Sequence, residues 1–136
     1  VGTDNPTGFE IRVKRDNVTA TMTKGADVIP DLTAWDPEAA GGRGNAITNP
    51  GSTLSFRIQQ TGTEPNNYNP NWWGVNDNPG VEKYAGFPTL SKRIVDRIIH
   101  SFPPTNSVIK YRLDSPIAQP IGVYSGNITY TVVVNP

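Results

Sequence analysis

Phe9, Ile11 and Val13 alternate with Glu10, Arg12 and Lys14, the two-residue period of a strand with one buried face. The alternation returns at Val18, Ala20 and Met22 against Thr19, Thr21 and Thr23, now on even positions. That change of parity predicts one of two things: a tight turn at Asp16-Asn17 that makes a hairpin, or a bulge that lets one long strand change face. Leu54, Phe56 and Ile58 predict a further strand, as do Ile109, Tyr111 and Leu113. Ile128, Tyr130, Val132 and Val134, alternating with Thr129 and Thr131, predict the last.

One segment has a different period. Leu90, Ile94, Val95, Ile98, Ile99 and Phe102 recur at steps of three and four, with Lys92, Arg93, Asp96, Arg97 and His100 between them. This spacing predicts an amphipathic helix around residues 90–102, capped by Thr89 or Ser91 and stopped by Pro103-Pro104. Residues 36–50 and 61–79 are rich in Gly, Asn and Pro and weakly periodic, and they read as two long loops. The expected fold is therefore mainly β, an antiparallel β-sandwich of Ig-like or jelly-roll-like kind with one short helix. A single domain spans 1–136, and 1–13 serves as a candidate strand-exchange arm.

Composition sharpens this reading. The chain of 136 residues holds 13 Gly and 13 Pro but only 18% charged residues, which favours short strands and many turns over charged helices. Its 12 basic and 12 acidic residues cancel. A nucleic-acid partner is not expected, because phosphate neutralisation needs a basic face. No apolar run is long enough to cross a bilayer as a helix. With no cysteine, thiolate nucleophiles, thiolate metal sites and disulfides are excluded. The first residue is Val1, and the expectation placed on it is removal of a signal peptide from an exported protein.

The segment from Pro120 to Val132, P-I-G-V-Y-S-G-N-I-T-Y-T-V, resembles the closing P-x-G-x-Y-S-G-x-x-T-Y-T strand of prokaryotic surface and fimbrial β-sandwich domains. The resemblance covers about a tenth of the chain. It implies an exported surface domain and names no ligand. Gly122 and Gly126 fit a bend leading into a strand of aromatic and β-branched residues.

Candidate chemistry is sparse. His100 is the only histidine, so a His-based metal cage is impossible, and a solvated or capping role suits its place on the polar side of the expected helix. Gly41-Gly42-Arg43-Gly44 lacks the spacing of a phosphate loop. Asp31, Asp36, Glu38, Asp77 and Glu82 lie in or near loops, where turn-making and solvation account for them. Asn76 to Gly80 offers oxygen atoms but not the pattern of a calcium loop. No metal site, cofactor or catalytic set is expected, and the chain is not read as an enzyme.

Tyr68, Trp72 and Trp73 stand in an Asn-rich loop and form a candidate contact or ligand site, since aromatic faces stack on sugar rings or anchor a protein surface. In extended backbone adjacent side chains point oppositely, so at least one Trp is expected to be buried, with the other available as a contact or both folded back over the end of the sandwich as a satellite core. Asn17-Val18-Thr19 and Asn127-Ile128-Thr129 are candidate N-glycosylation sequons. The leading expectation is a structural subunit of an extracellular filament, pilus or surface layer that self-associates into a polymer. Assembly would proceed by β-strand pairing or by donation of the strand carrying Phe9, Ile11 and Val13. The alternative is a carbohydrate-binding or adhesive module built on the Tyr68–Trp73 loop.

Overall fold

The computed structural model describes residues 4–32, 45–46, 53–59, 70–74, 80–99, 106–115 and 117–136. These form β1 (Phe9–Arg15), β2 (Met22–Lys24), β3 (Asp27–Ile29), β4 (Asn45–Ala46), β5 (Leu54–Gln59), a single helical turn α1 (Pro70–Trp73), β6 (Lys83–Tyr84), β7 (Lys92–Arg97), β8 (Val108–Leu113) and β9 (Ile128–Val134). The protein is mainly β, and its named strands pair antiparallel.

β1 lies in the middle of a three-stranded sheet, between β7 and β9. Its ladder to β9 runs without a break from Phe9↔Val134 to Arg15↔Ile128. Phe9, Ile11 and Val13 are buried on one face, while Glu10, Arg12 and Lys14 on the other keep contact with solvent. This is the alternation that the sequence predicts.

β5 is the strand around which the remaining elements gather. It pairs with β8 from Leu54↔Leu113 to Gln59↔Val108, and on its other side bridges join Leu54 to Asp31 and Phe56 to Ala85. Both of its faces are buried. Leu54, Phe56 and Ile58 share one core cluster with Phe9, Ile11 and Val13 of β1 and with Trp72, Trp73, Phe87, Ile94 and Val95. Within it Phe56 stacks on Phe87 at 4.5 Å between ring centroids and meets Trp73 at a tilt at 5.5 Å. On the opposite face the buried Arg57 sets its guanidinium 5.8 Å from the Tyr84 ring centroid and donates from Nη2 to the Trp73 carbonyl at 3.0 Å. A buried cation thus keeps a polar partner and an aromatic face.

Two expectations are corrected. The segment expected to be a helix over 90–102 is instead a strand at Lys92–Arg97, paired with β1; residues 100–105 lie outside the described residues. The misleading spacing comes from a bulge. The register passes from Ile11↔Val95 to Arg12↔Arg93, which leaves Ile94 without a counterpart, and the bulge buries the neighbours Ile94 and Val95 together. An apolar pair at consecutive positions breaks the strand period and imitates a helical one. Leu90 and Ile98, which would have completed the helical stripe, are exposed.

The segment Val18–Met22 is likewise neither a hairpin partner of β1 nor its continuation. Val18 is exposed and Ala20 buried. Met22–Lys24 instead turns through Gly25, at φ 59°, into β3, a left-handed conformation that glycine adopts at little cost. Asp31 holds the preceding segment in place. Its carboxylate accepts the Thr21 amide at 2.8 Å, the Thr21 hydroxyl at 2.7 Å and the Arg15 guanidinium.

Candidate assembly surface

A sheet edge exposes unpaired backbone N–H and C=O groups, and natural proteins blunt such edges with charge, proline or bulges. Three long strands have a paired neighbour on one side only among the described residues, β7, β8 and β9, whereas β5 is flanked by bridges on its second side. β7 contains Lys92, Arg93, Asp96 and Arg97 and is bulged. β8 contains Lys110 and Arg112. β9, with the sequence ITYTVVV, carries no charge, no proline and no bulge.

The core is open beside the same strand. On β9, Val132 and Val134 pair with Ile11 and Phe9. On β8, Tyr111 and Leu113 pair with Phe56 and Leu54. Cross-strand partners share a face, so all four of these edge residues belong to the core-facing rows. Ile11, Phe9, Phe56 and Leu54 are buried, yet Val132 and Val134 remain 49% and 52% exposed, and Tyr111 and Leu113 51% and 50%. The two edges touch where the Tyr111 and Tyr130 hydroxyls share a hydrogen bond at 2.8 Å. Burial, reinforced by that bond, raises the Tyr130 phenol above its ordinary range. The Tyr130 hydroxyl therefore stays uncharged at neutral pH. The result is an apolar seam, neutral along its length, bordered by an unguarded backbone edge.

The structure places the residues singled out from sequence as follows. Phe9, Ile11 and Val13 sit in the central strand with β7 on one side and β9 on the other, so exchange of this strand must first open two ladders. Trp72 and Trp73 are both buried, which fits the reading that they fold back into the core and leaves neither ring open as a contact. They lie on the turn α1 rather than in extended backbone, so neighbouring side chains need not point oppositely. Trp73 Nε1 donates to the Ile94 carbonyl at 3.2 Å, and the Arg93 guanidinium lies 5.7 Å from the Trp72 ring centroid. Tyr68 lies outside the described residues, as do His100, Asp36, Glu38, Asp77 and the stretch 76–79. Asn17 and Asn127 are exposed. Asp31 is engaged in the structural contacts already given, and Glu82 is buried. Among the described residues no three His, Cys, Asp or Glu side chains group as a metal site, and no helix is long and apolar enough to cross a membrane.

Tyr111, Leu113, Tyr130, Val132 and Val134 were readable as strand positions but not as a surface. The available signal was contrast, since β9 alone of the three long edge strands lacks a charged residue. Comparison of the chain with models of known families, with curated proteins and with solved structures finds no match.

Proposed function

We propose that this chain is a structural subunit of an extracellular filament, pilus or surface layer, a β-sandwich domain that assembles by strand pairing between subunits. The observation that carries the proposal is the open seam at β8 and β9, where core-facing side chains stand half exposed beside an uncharged strand edge. Fully exposed Ile117 and Ile121 and exposed Val123, in the connection between the same two strands, add apolar surface. The extracellular setting rests on the resemblance of the closing strand to surface and fimbrial domains. Pairing at an existing edge is favoured over donation of β1, which already has a neighbour on each side.

The magnitudes are consistent with reversible assembly. Burying the open halves of Tyr111, Leu113, Val132 and Val134 contributes roughly 1 kcal/mol each, and a new ladder adds about 1 kcal/mol net per hydrogen bond. These gains stand against an association cost of about 4–15 kcal/mol. One junction is then weak, and stable structures need many. The test is particle size by light scattering across a concentration series, with electron microscopy of the concentrated sample. Growth with concentration and visible fibres or sheets are expected. A compact monomer at millimolar concentration would overturn the proposal.

A further inference from the structure

The assembly reading leaves open which surface meets which, and β9 itself restricts the choice. When two copies of one strand pair antiparallel about a two-fold axis, each residue faces the one equally far on the other side of the axis, and the strand's net charge is doubled within one short ladder. For β7 this sets Lys92 opposite Arg97 and doubles the excess of Lys92, Arg93 and Arg97 over Asp96, and for β8 it gathers two copies each of Lys110 and Arg112 with no acidic partner on the strand. Like charges opposed across a ladder are unfavourable. Of the long edge strands, only β9 has no charge to duplicate.

We infer, resting on the self-assembly reading, that β9 pairs antiparallel with β9 of a second copy of this chain, with Thr131 on the two-fold axis. Thr131 is the middle residue of Ile128–Val134, so this register pairs the whole strand and every other register leaves some of it unpaired. The strand's ends limit sliding. Beyond Val134, the Asn135 amide nitrogen and side chain are bound to Gly8, Thr7 and Arg97 of the same chain, and Pro136 has no N–H to donate. Before Ile128, the Asn127 carbonyl accepts from Asp16. With Thr131 centred, Tyr130 faces Val132 of the second copy, and the added strand covers the seam beside Tyr111 and Leu113. The contact is the same patch on both molecules and closes on itself. The first unit of assembly is therefore a dimer with a six-stranded sheet, held by the seam, and growth beyond it uses a second surface, for which the exposed Ile117, Ile121 and Val123 stand ready.

The absence of cysteine allows a clean crosslinking test. Thr129, Thr131 and Val133 project on the face away from the core-facing row, opposite Lys14, Arg12 and Glu10. Single Cys variants at the three positions are oxidised gently in dilute solution, with the exposed Thr19→Cys as control. Thr131→Cys is expected to give a disulfide dimer at least tenfold faster than the control. Thr129→Cys and Val133→Cys should crosslink with each other in a mixture, and poorly with themselves. In parallel, Thr131→Glu places a carboxylate opposite Arg12 within its own sheet, which preserves the fold, and opposite its duplicate in the dimer. Sedimentation at pH 7 should show the dimer dissociation constant raised about fivefold, with recovery below about pH 4, where the new carboxyl is protonated. Circular dichroism confirms that this variant remains folded. If wild type assembles but Thr131→Cys crosslinks no faster than Thr19→Cys and Thr131→Glu assembles normally, this interface is wrong while self-assembly stands. If wild type is monomeric at every concentration, both fail.

Discussion

Replacing Trp73 separates a structural role from a ligand-binding one. Its side chain is fully buried, and its indole Nε1 donates to the carbonyl of Ile94 at 3.2 Å. Ile94 is the bulge residue, which has no counterpart on β1. Trp73 therefore satisfies a carbonyl at the point where the β1–β7 ladder skips a residue. Trp73→Phe keeps an aromatic ring against Phe56 but removes the donor. Leaving a buried acceptor without a partner costs about 1–3 kcal/mol, and the smaller ring adds a partial void. We expect a loss of about 2–3 kcal/mol. Trp73→Ala also removes the ring from the core cluster and should cost about 3–5 kcal/mol. Urea unfolding followed by far-ultraviolet circular dichroism measures both, with the slope checked for constancy so that midpoint shifts report stability. If Trp73→Ala unfolds within about 0.5 kcal/mol of wild type, the packing argument is wrong, and the ring serves something other than the core.

Three further outcomes follow from contacts already described. Asp31→Asn exchanges a carboxylate oxygen for an N–H donor among Arg15 and the Thr21 amide, and urea unfolding should show a loss of about 3 kcal/mol. Gly126→Ala would drive a methyl group into the Thr21 carbonyl oxygen, so the bridge between Thr23 and Ser125 should open; amide exchange at these two residues should accelerate while β5 stays protected. The Tyr130 phenol is raised in the folded protein by burial and then by its bond to Tyr111, so the unfolded chain ionises first. Stability should be intact below about pH 10, the ordinary phenol value, and fall above it. Urea midpoints between pH 9 and 11 should decline for wild type and decline less for Tyr130→Phe.

β1, β5, β8 and β9 were readable as strands from sequence because each alternates along one unbroken stretch, but only in β1 does that alternation coincide with one buried and one solvated face. β7 was not, because one inserted residue at Ile94 shifts the phase, and whether a strand is bulged depends on its neighbour rather than on itself. β2 and β3 have three residues each, too few for a period to register. Sequence left open whether both Trp rings are buried, because the direction of adjacent side chains depends on backbone conformation, and α1 is a turn of helix. The seam was hidden for a different reason. Val132 and Tyr111 carry the same apolar signature as fully buried residues, and only the register, which joins distant parts of the chain, shows that nothing described covers them.

The side chain of Asn5 bonds to the carbonyl of Asn135, 130 positions away, and β1 and β9 form a full-length ladder beside that contact. The central strand of the three-stranded sheet thus waits for a segment made long after it. During synthesis Phe9, Ile11 and Val13 leave the ribosome before β9 and have no permanent neighbour on that side until Ile128–Val134 follows. Closing so long a loop is slow compared with local pairing, and an apolar strand exposed for that interval invites association with other nascent chains. Folding yield should therefore depend on the rate of elongation and on holding factors that mask β1, and truncation before Ile128 should yield a chain that collapses without completing its sheet.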